Sequence, residues 1–340
     1  MTSKKAEPTS NPNRKRRLWR FFWKLSLILL VLFGAYIIYL DAQIKHHFSG
    51  NKWQVPAQIY ARPLQLQKGE EITRKEVLDE LKLLGYRRVN QIQGSGEYSV
   101  SQAAINIYRR AFHFPDGFQP LRQLAIRWNG ARIASITDLQ TDQSLQQVRL
   151  ESWLVTRLAS GSQEDRMLVT LEDVPPLLVK ALTLTEDRDF YSHHGIAPLS
   201  IIRALLANIA AGRTVQGGST LTQQLVKNLY LTRERSLERK IKEALMAIII
   251  DARYSKDKII QAYLNEVFLG QSGDMAVHGF GLASYFYFDR PVYELDETEI
   301  AMLVGMIKGP SYYNPRKYPE RAIERRNLVL RLLLEGNELT

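Results

Sequence analysis

Glu186-Asp187-Arg188-Asp189-Phe190-Tyr191-Ser192-His193-His194-Gly195 is followed, after an apolar segment, by Gly217-Gly218-Ser219-Thr220-Leu221-Thr222-Gln223-Gln224-Leu225-Val226-Lys227-Asn228. The first stretch puts an acid beside aromatic and imidazole side chains, and the second reads as a helix start. Thr220 and Gln223 fit a capping box, in which the threonine hydroxyl takes an amide proton and the glutamine reaches back to the cap. Gly217, Gly218 and Ser219 let the backbone approach a ligand closely, so the helix start is expected to offer free N–H donors to an anion. Gln224, Lys227 and Asn228 stand at i, i+3 and i+4 and share one face. A lysine there supplies a point charge for phosphate. Taken alone, the same pattern also describes an ordinary capped helix with solvated polar residues.

The flanking residues sharpen this reading. Glu186 sits between the apolar run Leu177 to Leu184 and the aromatic-histidine segment, and a partly desolvated carboxylate suits a general base. Further on, Arg239, Lys240 and Glu243 fall within one helical turn, before the apolar run Ala244 to Ile250. Two cations keep Glu243 ionised and leave it able to orient a metal or a leaving phosphate; a surface ion pair is the plainer alternative. His193 and His194 lack partners at metal-ligand spacing, so a hydrogen-bonding imidazole is expected. Ser255-Lys256-Asp257-Lys258 spells a Ser-x-x-Lys tetrad but lacks downstream partner motifs, and Ser255 reads as a helix N-cap.

Composition narrows the class. The formal charge of the 340 residues is +11, yet residues 1 to 24 hold eight cations against Glu7 and account for +7 of it. A basic tail on a nearly balanced body argues against a nucleic-acid surface, and no nucleic acid partner is expected. Leu25 to Leu40 is an uncharged run of 16 residues, extended upstream by Trp19, Phe21, Phe22 and Trp23. A span needs about 20 residues, and Lys24 can snorkel to the headgroups. We therefore expect a single transmembrane helix over 21–40, behind a disordered basic tail over 1–20. The positive flank places that tail in the cytoplasm, and no small-residue cleavage site follows. The chain has no cysteine, which excludes thiol chemistry and thiolate metal sites.

Beyond the anchor the texture changes twice. Residues 60 to 152 read as a small α+β unit. Thr73 and Glu76 cap an amphipathic helix that stops at Gly85, and Glu97 to Val100, Leu124 to Trp128 and Ala131 to Asp138 read as strands. From about 170 to 335 the chain is mainly α, with helices over Pro198 to Ala211, Thr220 to Tyr230, Ser236 to Arg253, Lys256 to Phe268, Asp296 to Lys308 and Pro319 to Leu334.

Glu186 to Gly195 matches the Glu-Asp-Arg-x-Phe-x-x-His-x-Gly pattern of family 51 peptidoglycan glycosyltransferases. Gly218 to Asn228 matches their second motif, Arg239-Lys240-x-x-Glu243 the third, and Tyr263-Leu264-Asn265-Glu266 with Gly270 the fourth. Lys308-Gly309-Pro310 followed by Tyr313-Asn314-Pro315 resembles the last. The whole layout resembles class A penicillin-binding proteins of the 1b type. The resemblance implies a mainly α, lysozyme-like glycosyltransferase domain, preceded by the transmembrane helix and a small α+β regulatory domain. It implies polymerisation of lipid II by inverting attack, with Glu186 as base toward the acceptor 4-hydroxyl. By the same carry-over Ser219, Thr220, Gln224, Lys227, Asn228, Arg239 and Lys240 hold the lipid pyrophosphate. Glu243 assists its departure directly or by a divalent metal, Mg or Mn. Asp187, Phe190, His193 and Tyr263 support the site.

The implied partners are lipid II and the growing glycan, membrane lipid, an outer-membrane lipoprotein activator docked on the small domain, and other cell-wall synthesis proteins. The implied location is the bacterial inner membrane, with the catalytic domain periplasmic. Members of that class continue into a transpeptidase domain; this chain stops at Thr340, so either it is a fragment or cross-linking belongs elsewhere, and no penicillin binding is expected of it. Two alternatives stand beside the synthase. A lytic transglycosylase would also use a glutamate but needs no pyrophosphate site, and a non-catalytic cell-wall synthesis scaffold would need neither glutamate.

Overall fold

A computed structural model describes residues 12–48, 57–158, 164–212, 217–232, 234, 236–273 and 275–339. Helix α1 spans Pro12–Phe48, so the disordered tail expected over 1–20 is helical from residue 12; residues 1–11 lie outside the described residues. Proline at a helix start sacrifices no hydrogen bond, and the arginines, lysine and leucine that follow are good helix formers. Within α1, Trp19–His46 has a hydropathy of 2.2 and an apolar window with no burial, long and apolar enough to cross a membrane. Leu30 and Ile38 are 67% and 72% exposed there. The helix also runs past the expected end at 40. Leu40 and Ile44 are fully buried where its last turns pack on the main domain, and Tyr230 donates its hydroxyl proton to Ile44 O.

The small domain is built from β1 (Ala57–Tyr60), β2 (Gln65–Gln67), α2 (Arg74–Leu83), β3 (Arg87–Arg88), β4 (Glu97–Val100), β5 (Ala104–Arg109), β6 (Phe112–Phe114), β7 (Gly117–Gln119), β8 (Arg122–Asn129), β9 (Arg132–Asp138), β10 (Gln143–Leu145), β11 (Gln147–Arg149) and β12 (Leu154–Leu158). Its main sheet has the order β10-β9-β8-β5-β4-β3. Alternation decides its faces: Ile105 and Ile107 pair with Ile126 and Leu124, and Ile136 lies beyond Ile126, all fully buried. Helix α2 covers that face with Val77 and Leu81. Its capping box is present, with the Thr73 N–H donating to Glu76 at 2.8 Å.

The main domain follows as β13 (Glu164–Arg166), α3 (Pro176–Glu186), α4 (Pro198–Ala211), α5 (Leu221–Tyr230), α6 (Leu237–Arg253), α7 (Lys256–Glu266), β14 (Phe268–Ser272), β15 (Met275–His278), α8 (Gly279–Phe288), α9 (Glu297–Met306) and α10 (Pro319–Glu335). Helix α6 buries Glu243, Met246, Ala247 and Ile250, the i, i+3, i+4, i+7 stripe of an amphipathic helix. Helix α7 stops at Glu266 and α9 at Met306, each two residues before the ends expected from sequence. Helix α8 and the three-stranded sheet β13-β15-β14 have no counterpart in the sequence reading. The apolar residues of α8 run around all sides because its first two turns are core, so no period marks them. Gly195 has φ +81, and a Cβ there would meet Ala247 O at 2.4 Å, so the loop after α3 lies directly on the α6 backbone.

Candidate active site

Glu186 is the last residue of α3, with its side chain 14% exposed. Gln224 Nε2 donates to Glu186 Oε2 at 3.0 Å, and Tyr263 donates its hydroxyl proton to Gln224 Oε1 at 2.9 Å. Burial first, and then the charge of Glu186, pushes the Tyr263 phenol well above its ordinary range. It therefore stays a proton donor, which fixes the Gln224 carbonyl as acceptor and its amide as donor. One amide proton of Gln224 thus goes to the carboxylate, a contact that the family resemblance did not imply. Arg325 on α10 brings a terminal guanidinium nitrogen within 3.9 Å of Glu186 Oε1, an approach that sequence reasoning missed. Nothing in the local pattern separates Arg325 from the other arginines of an amphipathic helix; only the packing of α10 on α3 and α9 reveals it.

Asp187, one residue on, turns into the protein. Its Oδ2 accepts the Leu221 N–H at 2.8 Å and lies 2.9 Å from His193 Nε2. Phe190 is fully buried, with the Lys256 ammonium 4.8 Å from its ring centre. Thr220 is 2% exposed; its hydroxyl donates to Gly195 O at 2.6 Å and accepts the Gln223 N–H at 3.1 Å. The capping box is present, and the Gln224 N–H goes to Thr220 O at 3.0 Å. The expectation of free donors at this helix start therefore fails for Leu221, Gln223 and Gln224. Asp187 and Thr220 have taken those protons, and Thr220 serves as the helix cap.

The cations lie further along α5, at Lys227, and on the first turns of α6, at Arg239 and Lys240. Lys240 Nζ donates to Ser219 Oγ at 2.7 Å and to Glu243 Oε1, while an Arg239 terminal nitrogen donates to Glu243 Oε2 at 2.9 Å. Lys227 and Asn228 are exposed at the end of α5. The Lys227 ammonium is held below the usual lysine range chiefly by desolvation; Glu243 opposes this, and Arg239 and Lys240 add to it. Glu243 is 2% exposed with both carboxylate oxygens engaged. Among the described residues no group of three or more His, Cys, Asp or Glu could hold a metal ion. The residues present do not fit the divalent metal expected at Glu243, which here is the buried counterion of two side-chain cations. Ser255 accepts the Lys258 N–H as the N-cap of α7, which closes the Ser-x-x-Lys question.

Helix α5 thus brings the Gln224 amide to the Glu186 carboxylate and places Lys227 where the charges of Glu243, Arg239 and Lys240 act on it. The family pattern described as Transglycosylase matches residues 152–334, more than half of the chain, and the chain belongs to that family. The pattern described as Bifunctional transglycosylase second domain matches residues 66–150. Penicillin-binding protein 1B of Vibrio cholerae serotype O1 is 50% identical over 324 residues, 95% of this chain and 42% of that protein. The protein of the same name from Haemophilus influenzae is 46% identical over 341 residues, 99% of this chain and 44% of its own length. That from Escherichia coli K12 is 47% identical over 310 residues, 91% and 37%. The chain therefore spans less than half the length of these curated relatives.

Proposed function

We propose that this chain is a membrane-anchored peptidoglycan glycosyltransferase that polymerises lipid II into β-1,4 glycan with inversion and release of lipid pyrophosphate. The observation that carries the reading is α5, which turns Gln224 to Glu186 and Lys227 to the Arg239, Lys240 and Glu243 cluster. Glu186 takes the proton of the acceptor 4-hydroxyl, whose oxygen attacks the anomeric carbon while the bond to pyrophosphate breaks. Gln224, oriented by Tyr263, holds one oxygen of Glu186 in place. Lys227, Arg239 and Lys240, with Asn228 and Ser219 beside them, offset the charge that develops on the leaving group. Glu243 holds Arg239 and Lys240 in register for that task. Glycan cleavage by a lytic enzyme creates no pyrophosphate, so this cation cluster favours synthesis.

The membrane reading has support of its own. On α4, Leu199, Ile202, Leu206 and Ile209 are 78%, 54%, 62% and 68% exposed, and Leu237 on α6 is 85% exposed. An apolar surface of this extent suits the bilayer, where a lipid-linked substrate must be met. In our reading the basic N-terminus is cytoplasmic, the membrane is the bacterial inner membrane and the folded domains are periplasmic. The small domain takes the outer-membrane lipoprotein activator.

The test is incubation of the purified protein with labelled lipid II and a divalent salt, beside Glu186→Gln. Wild type should build polymer and the variant none, with both melting alike. Shortening of preformed glycan by wild type, without polymer synthesis, would sink the proposal.

A further inference from the structure

The mechanism leaves the segment from Gly309 to Tyr318 and the first turns of α10 without a task, although the sequence singles out this stretch. Its backbone is tied down. The amides of Tyr312 and Tyr313 both donate to Gly309 O at 2.9 Å, and Tyr318 N–H donates to Asn314 O at 2.7 Å. Asn314, 8% exposed, takes the Arg316 N–H at 2.9 Å. On this loop, Tyr312 and Tyr318 flank the guanidinium of Arg321, with ring centres 4.3 and 4.5 Å from its central carbon.

Three arginines here stack on aromatic rings, and two of them also donate to a backbone carbonyl. Arg316, 4.1 Å from the Phe286 ring, donates to Phe286 O. Arg325, beside Tyr313, donates to Gly305 O at 3.2 Å. A Cβ at Gly305 would meet Arg325 Cγ at 3.0 Å, so that approach depends on glycine. Arg321 differs. It is exposed, and among the described residues no carboxylate or other acceptor meets its N–H edge. A guanidinium packed against two rings, with no protein acceptor at its N–H groups, is available for bidentate capture of an oxyanion.

Location selects the oxyanion. Arg325 lies 3.9 Å from the base Glu186, and Arg321 stands four residues earlier on the same face of α10, about 6 Å back along the axis. The contacts from Arg325 to Tyr313, Tyr313 to Tyr312 and Tyr312 to Arg321 are continuous. This is the side of the base, hence of the acceptor, and it is built on other elements than the α5 and α6 cations assigned to the leaving pyrophosphate. In the disaccharide-peptide substrate, the sugar next to the reacting one carries the peptide and its carboxylates.

We propose that Arg321, clamped by Tyr312 and Tyr318, is an acceptor-side subsite that captures a carboxylate of the substrate's peptide. The assignment rests on the glycosyltransferase reading above. The test compares initial rates of the full chain on two forms of lipid II, one with free peptide carboxylates and one with those carboxylates amidated, the lipid pyrophosphate being the same. Wild type should prefer the free-acid form. Arg321→Ala should lower kcat/KM for that form roughly tenfold, mostly through KM, and erase the preference, as expected for one lost hydrogen bond to a charged group. Arg321→Lys should restore part of it, and Tyr312→Ala with Tyr318→Ala should weaken it while the protein still melts normally. An unchanged preference in Arg321→Ala overturns the subsite, and an equal loss on both forms assigns Arg321 to phosphate and overturns the peptide assignment. Wild type that polymerises neither form overturns the glycosyltransferase reading itself.

Discussion

Lys227 carries a cost in the free protein that its ligand should remove. Desolvation and the neighbouring Arg239 and Lys240 depress its pKa, so its protonation is less favourable folded than unfolded. The sign follows from linkage: the cost is fully present below the folded pKa and vanishes as pH rises through the window up to the unfolded lysine value. Lys227→Gln should therefore raise the melting temperature of the ligand-free protein at neutral pH while weakening a pyrophosphate-bearing donor. A variant that melts lower and binds the donor as well as wild type would remove this assignment. Activity should also fall on the alkaline side before an ordinary lysine would titrate, and Lys227→Arg should move that limb upward, as a pH-rate profile will record.

Helix α5 organises the site because its start is closed by the protein. Asp187 takes the Leu221 proton and Thr220 takes that of Gln223, so the helix end is held against the α3 loop with no anion required. Thr220→Ala removes a cap and leaves Gly195 O without its hydroxyl donor. We expect a loss of about 1 to 2 kcal/mol, the range for N-cap threonines, measurable by denaturant titration. Loss of lipid II turnover without loss of stability would instead return Thr220 to the substrate.

The two folded units are joined by a buried ion network. Arg110, from the loop after β5, donates to both oxygens of Glu294 at 2.7 and 2.8 Å and to Leu84 O at 2.6 Å, and lies 4.5 Å from the Tyr86 ring centre. Ser95 adds its hydroxyl to Glu294 at 3.0 Å, and Glu151 stands 3.3 Å from Arg110. Burial is the largest single influence and opposes the charge of Arg110, but the hydrogen bonds to Glu294 together with the charges of Glu294, Tyr86 and Glu151 outweigh it and keep the guanidinium protonated. Removing one partner of such a pair strands the other charge, so Arg110→Ala should cost about 3 to 5 kcal/mol. Replacing Arg110 and Glu294 together by methionine should cost less than Arg110→Ala alone; thermal melts of both variants settle the point. At the other end, Leu40 and Ile44 seat α1 on the main domain, and Arg253 pairs with Asp41, which ties the long apolar helix to the domain that carries Glu186.

Some of this was legible in the chain itself. Apolar periodicity marked α4, α5, α6 and α10, because each buries one face and leaves the other in solvent or lipid. Uncharged length marked the span, and the capping boxes of α2 and α5 were readable because their partners lie three residues apart. The residue types at the site were also legible, Glu186 and the Lys227, Arg239 and Lys240 cations among them. Their duties were not. Whether Gln224 faces a phosphate or a carboxylate depends on Tyr263, which lies 39 residues away in sequence. Whether Glu243 is open to a metal depends on which rotamers Arg239 and Lys240 adopt around it. Helix α8 is apolar on every side and has no period to read. Local pattern records which face of an element is buried, whereas the partner of a polar group is chosen by long-range packing, and only the tertiary structure decided that.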